Sequence, residues 1–120
     1  MSIILVVDDE ESILDSMSYA LDKIGHEIIQ AKDGLEALHI YADKASEISL
    51  VIMDVLMPIM DGIASAKAIK EINPSARIIL ISGSTKYLSS DVRIDAFIPK
   101  PFSHRDLCAT VRQVISDVCV

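Results

Sequence analysis

Three stretches of the chain carry unbroken apolar runs: IILVV (3–7), SLVIMD (49–54) and RIILIS (77–82). A strand with one wet face alternates apolar and polar residues, so a continuous β-branched run predicts cover on both faces. That requirement leaves few architectures for a chain of 120 residues, which has room for one core and is read as a single domain over 1–120.

Helix-period segments separate the runs. Ile13, Met17, Ala20 and Ile24 recur at helical spacing with Leu14 and Leu21 beside them, and Gly25 can close that helix as a left-handed cap. HEIIQA (26–31) predicts a short strand and KDG (32–34) a turn. LEALHIYADKA (35–45) predicts a helix burying Leu35, Leu38 and Ala42. GIASAKAIKEI (62–72) predicts a third helix and DAFIP (95–99) a weak last strand. Ser103 with Asp106 three residues on forms an acidic variant of the capping box, ahead of a helix that buries Leu107, Val111, Val114 and Val118. Strands alternating with helices predict an α/β fold, with a parallel sheet and helices on both faces.

Charge narrows the functions. The net charge is −7, with 24% charged residues and about half of the chain apolar. Binding a phosphate backbone needs clustered Lys and Arg, so direct nucleic-acid contact is not expected. No apolar run is long enough to span a bilayer, and MSIILVVDDEE lacks the basic start of a signal peptide. The chain is therefore read as cytoplasmic, without membrane contact. Cys108 and Cys119 fall in one predicted helix, roughly 16 Å apart, too far for a disulfide. His26, His39 and His104 show no metal-ligand spacing, and His26 and His39 read as surface or element-edge residues.

The site of a parallel α/β sheet lies beyond the carboxyl ends of its strands. The first strand ends in Asp8 and Asp9, the third in Asp54, the fourth in Ser82 and the fifth in Lys100. Each has an ordinary alternative: a helix-capping acid, a turn serine, a solvated lysine. Together they describe one place. Adjacent carboxylates repel unless a cation intervenes, and hard oxygens suit Mg²⁺. A lysine and a hydroxyl suit an anion, and a carboxylate can act as a nucleophile toward phosphorus. Pro101 after Lys100 admits a cis bond that would aim the lysine inward.

With these residues in view, the chain resembles a response regulator receiver domain of two-component signalling. The resemblance rests on VVDDEE (6–11), AKDGLEAL (31–38), MDVLMPIMDG (53–62) and KPF (100–102), four motifs in order across nearly the whole chain. It implies a flavodoxin-like doubly wound sheet of five parallel strands in the order 2-1-3-4-5. It implies that Asp54 accepts a phosphoryl group from a phosphohistidine on a sensor kinase or phosphotransfer protein. Mg²⁺, with Mn²⁺ as a substitute, would be held by Asp9, Asp54 and the backbone carbonyl of Leu56, with Asp8 acting through a water. Lys100 would pair with the phosphate, and Ser82 and Phe97 would form the switch that a downstream protein reads. Oligomerisation on phosphorylation is compatible with it. Pro58 and Gly62 would shape the loop around the metal, with Met57 and Met60 packing. Such a domain is a phosphoacceptor that assists its own phosphorylation and dephosphorylation, not an enzyme.

The departures are specific. Seventeen residues separate Ser82 from Lys100, about one helical turn fewer than is usual, so a fourth helix over 85–93 is expected to be short, distorted or absent. The switch aromatic is Phe and the switch hydroxyl Ser. Leu56 and Ser84 flank the phosphate position, and neither is an obvious group for positioning water. Two other readings remain: a Mg²⁺-dependent phosphatase with an aspartate nucleophile, and a receiver that acts as an interaction module without taking phosphate. The first wants an aspartate where Leu56 stands. The second usually lacks an acid or the lysine, whereas Asp8, Asp9, Asp54, Ser82 and Lys100 are all present.

Overall fold

The computed structural model describes residues 2–84 and 92–116. Their elements run β1 (Ile3–Val7), α1 (Glu11–Lys23), β2 (Glu27–Ala31), α2 (Gly34–Lys44), β3 (Ile48–Asp54), α3 (Gly62–Ile72), β4 (Ile78–Ser82), β5 (Ala96–Pro99) and α4 (His104–Ser116). All the strand pairs are parallel, and the sheet order is β2-β1-β3-β4-β5. This is the order expected. The helix over 85–93, expected to be short, distorted or absent, falls mostly on residues 85–91, which lie outside the described residues, as do Val118 and Cys119.

The continuous apolar strands are covered on both faces. Ile4 and Val6 of β1, with Leu50, Ile52, Ile79 and Ile81, pack under Leu14, Met17 and Leu21 of α1 and Leu107 and Val111 of α4. Leu5 and Val7, with Val51, Met53, Ile78 and Leu80, pack under Ala37 and Tyr41 of α2 and Ala66 and Ile69 of α3. Successive strand residues point to opposite faces, so both faces of β1, β3 and β4 are apolar, and within these strands polar residues appear only at Ser49 and at the terminal Asp54 and Ser82. Each fully buried Ile, Leu or Val contributes roughly 1.5–3 kcal/mol, which places most of the fold's stability in these three strands.

The helix ends follow local chemistry. Gly25 takes φ 98° after α1, as the left-handed cap requires. Ser103 Oγ accepts from Asp106 N at 3.0 Å, while Asp106 Oδ2 accepts from Ser103 N at 3.3 Å. Asp61 Oδ1 accepts from Ala64 N at 2.8 Å and starts α3.

One helix face differs from expectation. Leu35 and Ala42 are exposed and Leu38 is half-buried, while Gly34, Ala37 and Tyr41 are buried. Small residues decide this. A Cβ on Gly34 would lie 2.3 Å from the carbonyl oxygen of Met60 and 3.0 Å from Cβ of Ser65. Only a glycine lets α2 approach this closely, and Ser65 Oγ then donates to Gly34 O at 2.8 Å. The same rotation buries Tyr41, whose hydroxyl accepts from Asn73 Nδ2 at 3.0 Å. His26 is half-buried before β2 and His39 is exposed. Among the described residues, no helix is long and apolar enough to cross a membrane.

Candidate functional site

The parallel strands bring their carboxyl ends to one edge. Asp54 is the last residue of β3 and Ser82 the last of β4. Asp8 and Asp9 follow β1, and Lys100 follows β5. Backbone bonds fix this edge: Asp8 N donates to Ala31 O at 3.2 Å, Val55 N to Ile81 O at 2.9 Å, and Lys100 N to Ser82 O at 2.9 Å. Asp8, Asp54 and Ser82 are buried although polar. The Lys100–Pro101 peptide bond is cis, as proline at this place admits.

Lys100 Nζ donates to Asp54 Oδ2 at 3.2 Å and lies 3.7 Å from Asp8 Oδ2. Oxygens of Asp8, Asp9 and Asp54 all lie within 4.8 Å of one another. One lysine therefore faces three carboxylates. Burial pushes the Asp8 carboxyl above its ordinary range, with the neighbouring Asp54 adding to it and the Glu10 N–H opposing it. Burial likewise raises Asp54, against the pull of Lys100. Burial alone would lower Lys100, but the attraction of Asp54 and Asp8 outweighs it and raises that group. Among the described residues, the positive charge paired with the cluster does not balance it.

Asp8 shows how one residue serves two ends. Its Oδ1 accepts from Glu10 N at 2.8 Å, a local side-chain turn that shapes the entry to α1. Its Oδ2 is buried without a hydrogen-bond partner. A buried carboxylate oxygen with an unused lone pair, among other hard oxygens, fits a divalent cation. The cap of α1 falls on Glu10 without a side-chain bond, so Asp8 is not the helix cap; one of its oxygens fixes the turn before α1 and the other is left for the site.

The loop after β3 completes the rim. The Leu56 backbone favours the ionised Asp54 carboxylate, opposing the effect of burial. Met57 packs against the α2–α3 side of the core, as expected, and Met60 is half-buried. Gly62 N returns to Val55 O at 2.8 Å, and Gly34 N donates to Met60 O at 3.1 Å. Between these pins, Met60 N donates to Pro58 O at 2.7 Å across Ile59, whose φ is 70°. A three-residue turn with positive φ is the rare and strained form. Sequence reading misses this turn, because nothing in LMPIMDG marks a β-branched residue for positive φ.

Ile59 is 77% exposed, so its side chain recovers little by burial. Asparagine tolerates positive φ, and Ile59→Asn is expected to stabilise the fold by about 1 kcal/mol. Urea unfolding would show this as a higher midpoint with an unchanged slope.

Ser82 Oγ accepts from Ser84 N at 3.1 Å. A hydroxyl that accepts still carries its own proton to donate. Phe97 is half-buried on β5 and packs against the α2–α3 side of the core.

Comparison with known sequences settles the lineage of this arrangement. The profile of the response regulator receiver domain matches residues 4–112. The chain belongs to that family. It is 34% identical over 116 residues to the alkaline phosphatase synthesis transcriptional regulatory protein PhoP of Bacillus subtilis, covering 93% of this chain. It spans about half the length of the transcriptional regulators it matches, 48% and 50% for two of them, and 12% of a matching sensor kinase. A receiver domain protein from Clostridium thermocellum superposes with a TM-score of 0.89 at 27% identity, over 98% of this chain and 96% of that one. TrrA of Thermotoga maritima, solved in complex with Mg²⁺–BeF, superposes with a TM-score of 0.86 at 33% identity, over 95% of this chain and 99% of that one.

Proposed function

We infer that this receiver acts in the cytoplasm and takes a phosphoryl group onto Asp54 from a phosphohistidine of a sensor kinase or phosphotransfer protein. The observation that carries the reading is the buried Asp54 carboxylate, oriented by Lys100 Nζ at 3.2 Å within a cluster whose charge one lysine leaves unbalanced. An Asp54 oxygen attacks phosphorus. The O–P bond forms, the P–N bond breaks, and its electron pair returns to the imidazole, which takes up a proton. The product is an acyl phosphate, which water later returns to carboxylate and inorganic phosphate.

Asp9, Asp54 and the Leu56 carbonyl would hold Mg²⁺, with Asp8 acting through a water; Mn²⁺ would fit the same donors. When bound, the ion supplies positive charge against that developing on the phosphoryl oxygens. Lys100 supplies the second cation and pairs with the new phosphate. Ser82 donates its hydroxyl proton to the phosphate, and Phe97 moves with it. These contacts favour one of two pre-existing surfaces, which a downstream protein reads. The domain assists its own modification without being a turnover enzyme. The solved neighbour bound to Mg²⁺–BeF supports the ion.

Incubation with acetyl phosphate and Mg²⁺, followed by intact mass, tests the proposal. Wild type should gain one phosphoryl group, and Asp54→Ala or omission of Mg²⁺ should abolish the gain. A wild type that stays unmodified under conditions that modify another receiver would favour the phosphate-independent module.

The lifetime of the product also follows from side-chain chemistry. Leu56 is 60% exposed beside Asp54 and has no group to orient water. The acyl phosphate is expected to persist for minutes or longer without a phosphatase. Leu56→Asn should shorten its lifetime several-fold, as followed by loss of the phosphorylated mass. Decay of the wild-type form within seconds would contradict this.

A further inference from the structure

We propose that a second copy of this chain docks on it head to tail, with Tyr19 and its acidic neighbours on one copy seated in a basic cleft on the other. Charge is divided unevenly along the sequence. Residues 1–61 hold 13 acids and 3 bases, a net −10, and residues 62–120 hold 5 acids and 8 bases, a net +3. The fold keeps the halves apart, because β2, β1 and β3 come from the first and β4 and β5 from the second. On the β2 side, Tyr19 of α1 stands 61% exposed. It shares a surface hollow with Asp15, Asp22 and Glu27, and Lys23 Nζ lies 5.4 Å from its ring centroid. On the β5 side, α3 and residues 92–93 enclose a cleft of about 400 Å³. Pro74 and Val92 supply its apolar lining, and Lys67, Lys70, Glu71 and Arg93 its charged one. Lys70 Nζ donates to the Ala76 carbonyl oxygen, which holds that wall in place.

Shape and charge both match. An exposed tyrosine is a common anchor of protein interfaces, and a cleft of this size takes a ring-sized group. With Lys23 against one face of the ring, the Arg93 guanidinium suits the other. The knob carries three acids and one base, and the cleft three bases and one acid. Among the described residues, Asp22, Glu27 and Arg93 have no ion-pair partner, so docking pairs charges that the single chain leaves in water. The occupant follows from the placement. α1 lies on the face of the sheet opposite α3, so the knob of one chain cannot enter its own cleft, and the complement belongs to a second copy. The net −7 opposes association at long range. That repulsion is screened beyond about 8 Å at physiological salt, whereas charges in direct contact are screened far less. The two surfaces differ, so the contact is heterologous and leaves a free knob and a free cleft at the ends. It involves neither Asp54 nor Lys100 and stands apart from the phosphoacceptor reading.

Sedimentation velocity on the whole chain, from about 10 µM to about 1 mM, covers the range of weak contacts. Wild type should rise steadily in mean mass above the monomer, with no plateau at the dimer. Tyr19→Ala, Asp22→Arg and Arg93→Glu change exposed side chains. Each should weaken association roughly tenfold, with a melting temperature within about 2 °C of wild type. An equimolar mixture of Asp22→Arg and Arg93→Glu brings together one intact cleft and one intact knob, and should associate again, to heterodimers at least. Recovery in the mixture is a signature that no loss of folding produces. A wild type that stays monomeric throughout would overturn the proposal. So would association that all three variants retain, which would place the contact elsewhere, or a mixture no larger than its separate parts.

Discussion

Gly62→Ala is expected to destabilise the domain by about 3 kcal/mol and to impair phosphoryl uptake, although no functional side chain is touched. A Cβ at this position would lie 2.2 Å from the carbonyl oxygen of Asp54 and 2.9 Å from Cα of Val55. Both are backbone atoms at the end of a buried central strand, so no side chain can swing aside. The cheapest relief moves the start of α3 outward and breaks the Gly62 N–H bond to Val55 O, 2.8 Å long. That bond closes the loop that begins directly after the Asp54 carboxylate. Gly34→Ala presses on the same loop from the α2 side, through the carbonyl oxygen of Met60 at 2.3 Å, and should cost a similar amount. Urea unfolding gives the loss, and the initial rate of acetyl phosphate uptake gives the functional effect. A Gly62→Ala protein within about 0.5 kcal/mol of wild type would show that the loop accommodates a side chain.

Asp8→Asn should move stability in opposite directions with and without Mg²⁺. Without the ion, burial disfavours the Asp8 carboxylate, and Asp54 and Asp9 add to this against the Glu10 N–H and Lys100. Its folded pKa stands above the ordinary 3.8, so the folded state holds the proton more tightly than the unfolded state. Stability from this group is highest below 3.8 and declines as pH rises through the folded value. At neutral pH in EDTA, neutralising the group should therefore raise the melting temperature by a few degrees, and the gain should vanish near pH 3.8. With Mg²⁺ the order changes. Wild type at about 100 times the dissociation constant gains about 2.7 kcal/mol. A lost outer-shell carboxylate weakens metal binding about tenfold, so the variant gains about 1.4 kcal/mol less. Melting curves in EDTA and across a Mg²⁺ titration measure both effects. A variant that is less stable than wild type in EDTA at neutral pH would show that the cluster is already balanced.

The parts of this molecule legible in its sequence are those set by long-range burial and by backbone direction. IILVV, LVIM and IILI had to be covered on both faces, and parallel strands then had to deliver Asp8, Asp54, Ser82 and Lys100 to one edge. The buried face of α2 was not legible, because Leu35 and Leu38 outweigh Ala37 in hydrophobicity. The packing instead turns on Gly34, whose missing Cβ lets α2 approach α3 and carries Tyr41 inward. Hydropathy counts volume to bury and has no measure of how close two backbones come. The divided role of Asp8, one oxygen on the Glu10 N–H and one in the site, is also invisible to a one-letter code. So is the turn at Ile59, where the pinned ends of the loop override local preference.

The central claim is that Asp54, and no other carboxylate of the cluster, becomes the acyl phosphate. Borohydride reduces an acyl phosphate of aspartate to homoserine and leaves free carboxylates untouched. The direct measurement is therefore peptide mass mapping of the chain after acetyl phosphate, Mg²⁺ and borohydride. Homoserine is expected at position 54 alone, absent when Mg²⁺ is withheld. Homoserine at position 8 or 9, or an unmodified residue 54 in protein that has gained a phosphoryl group, would contradict it.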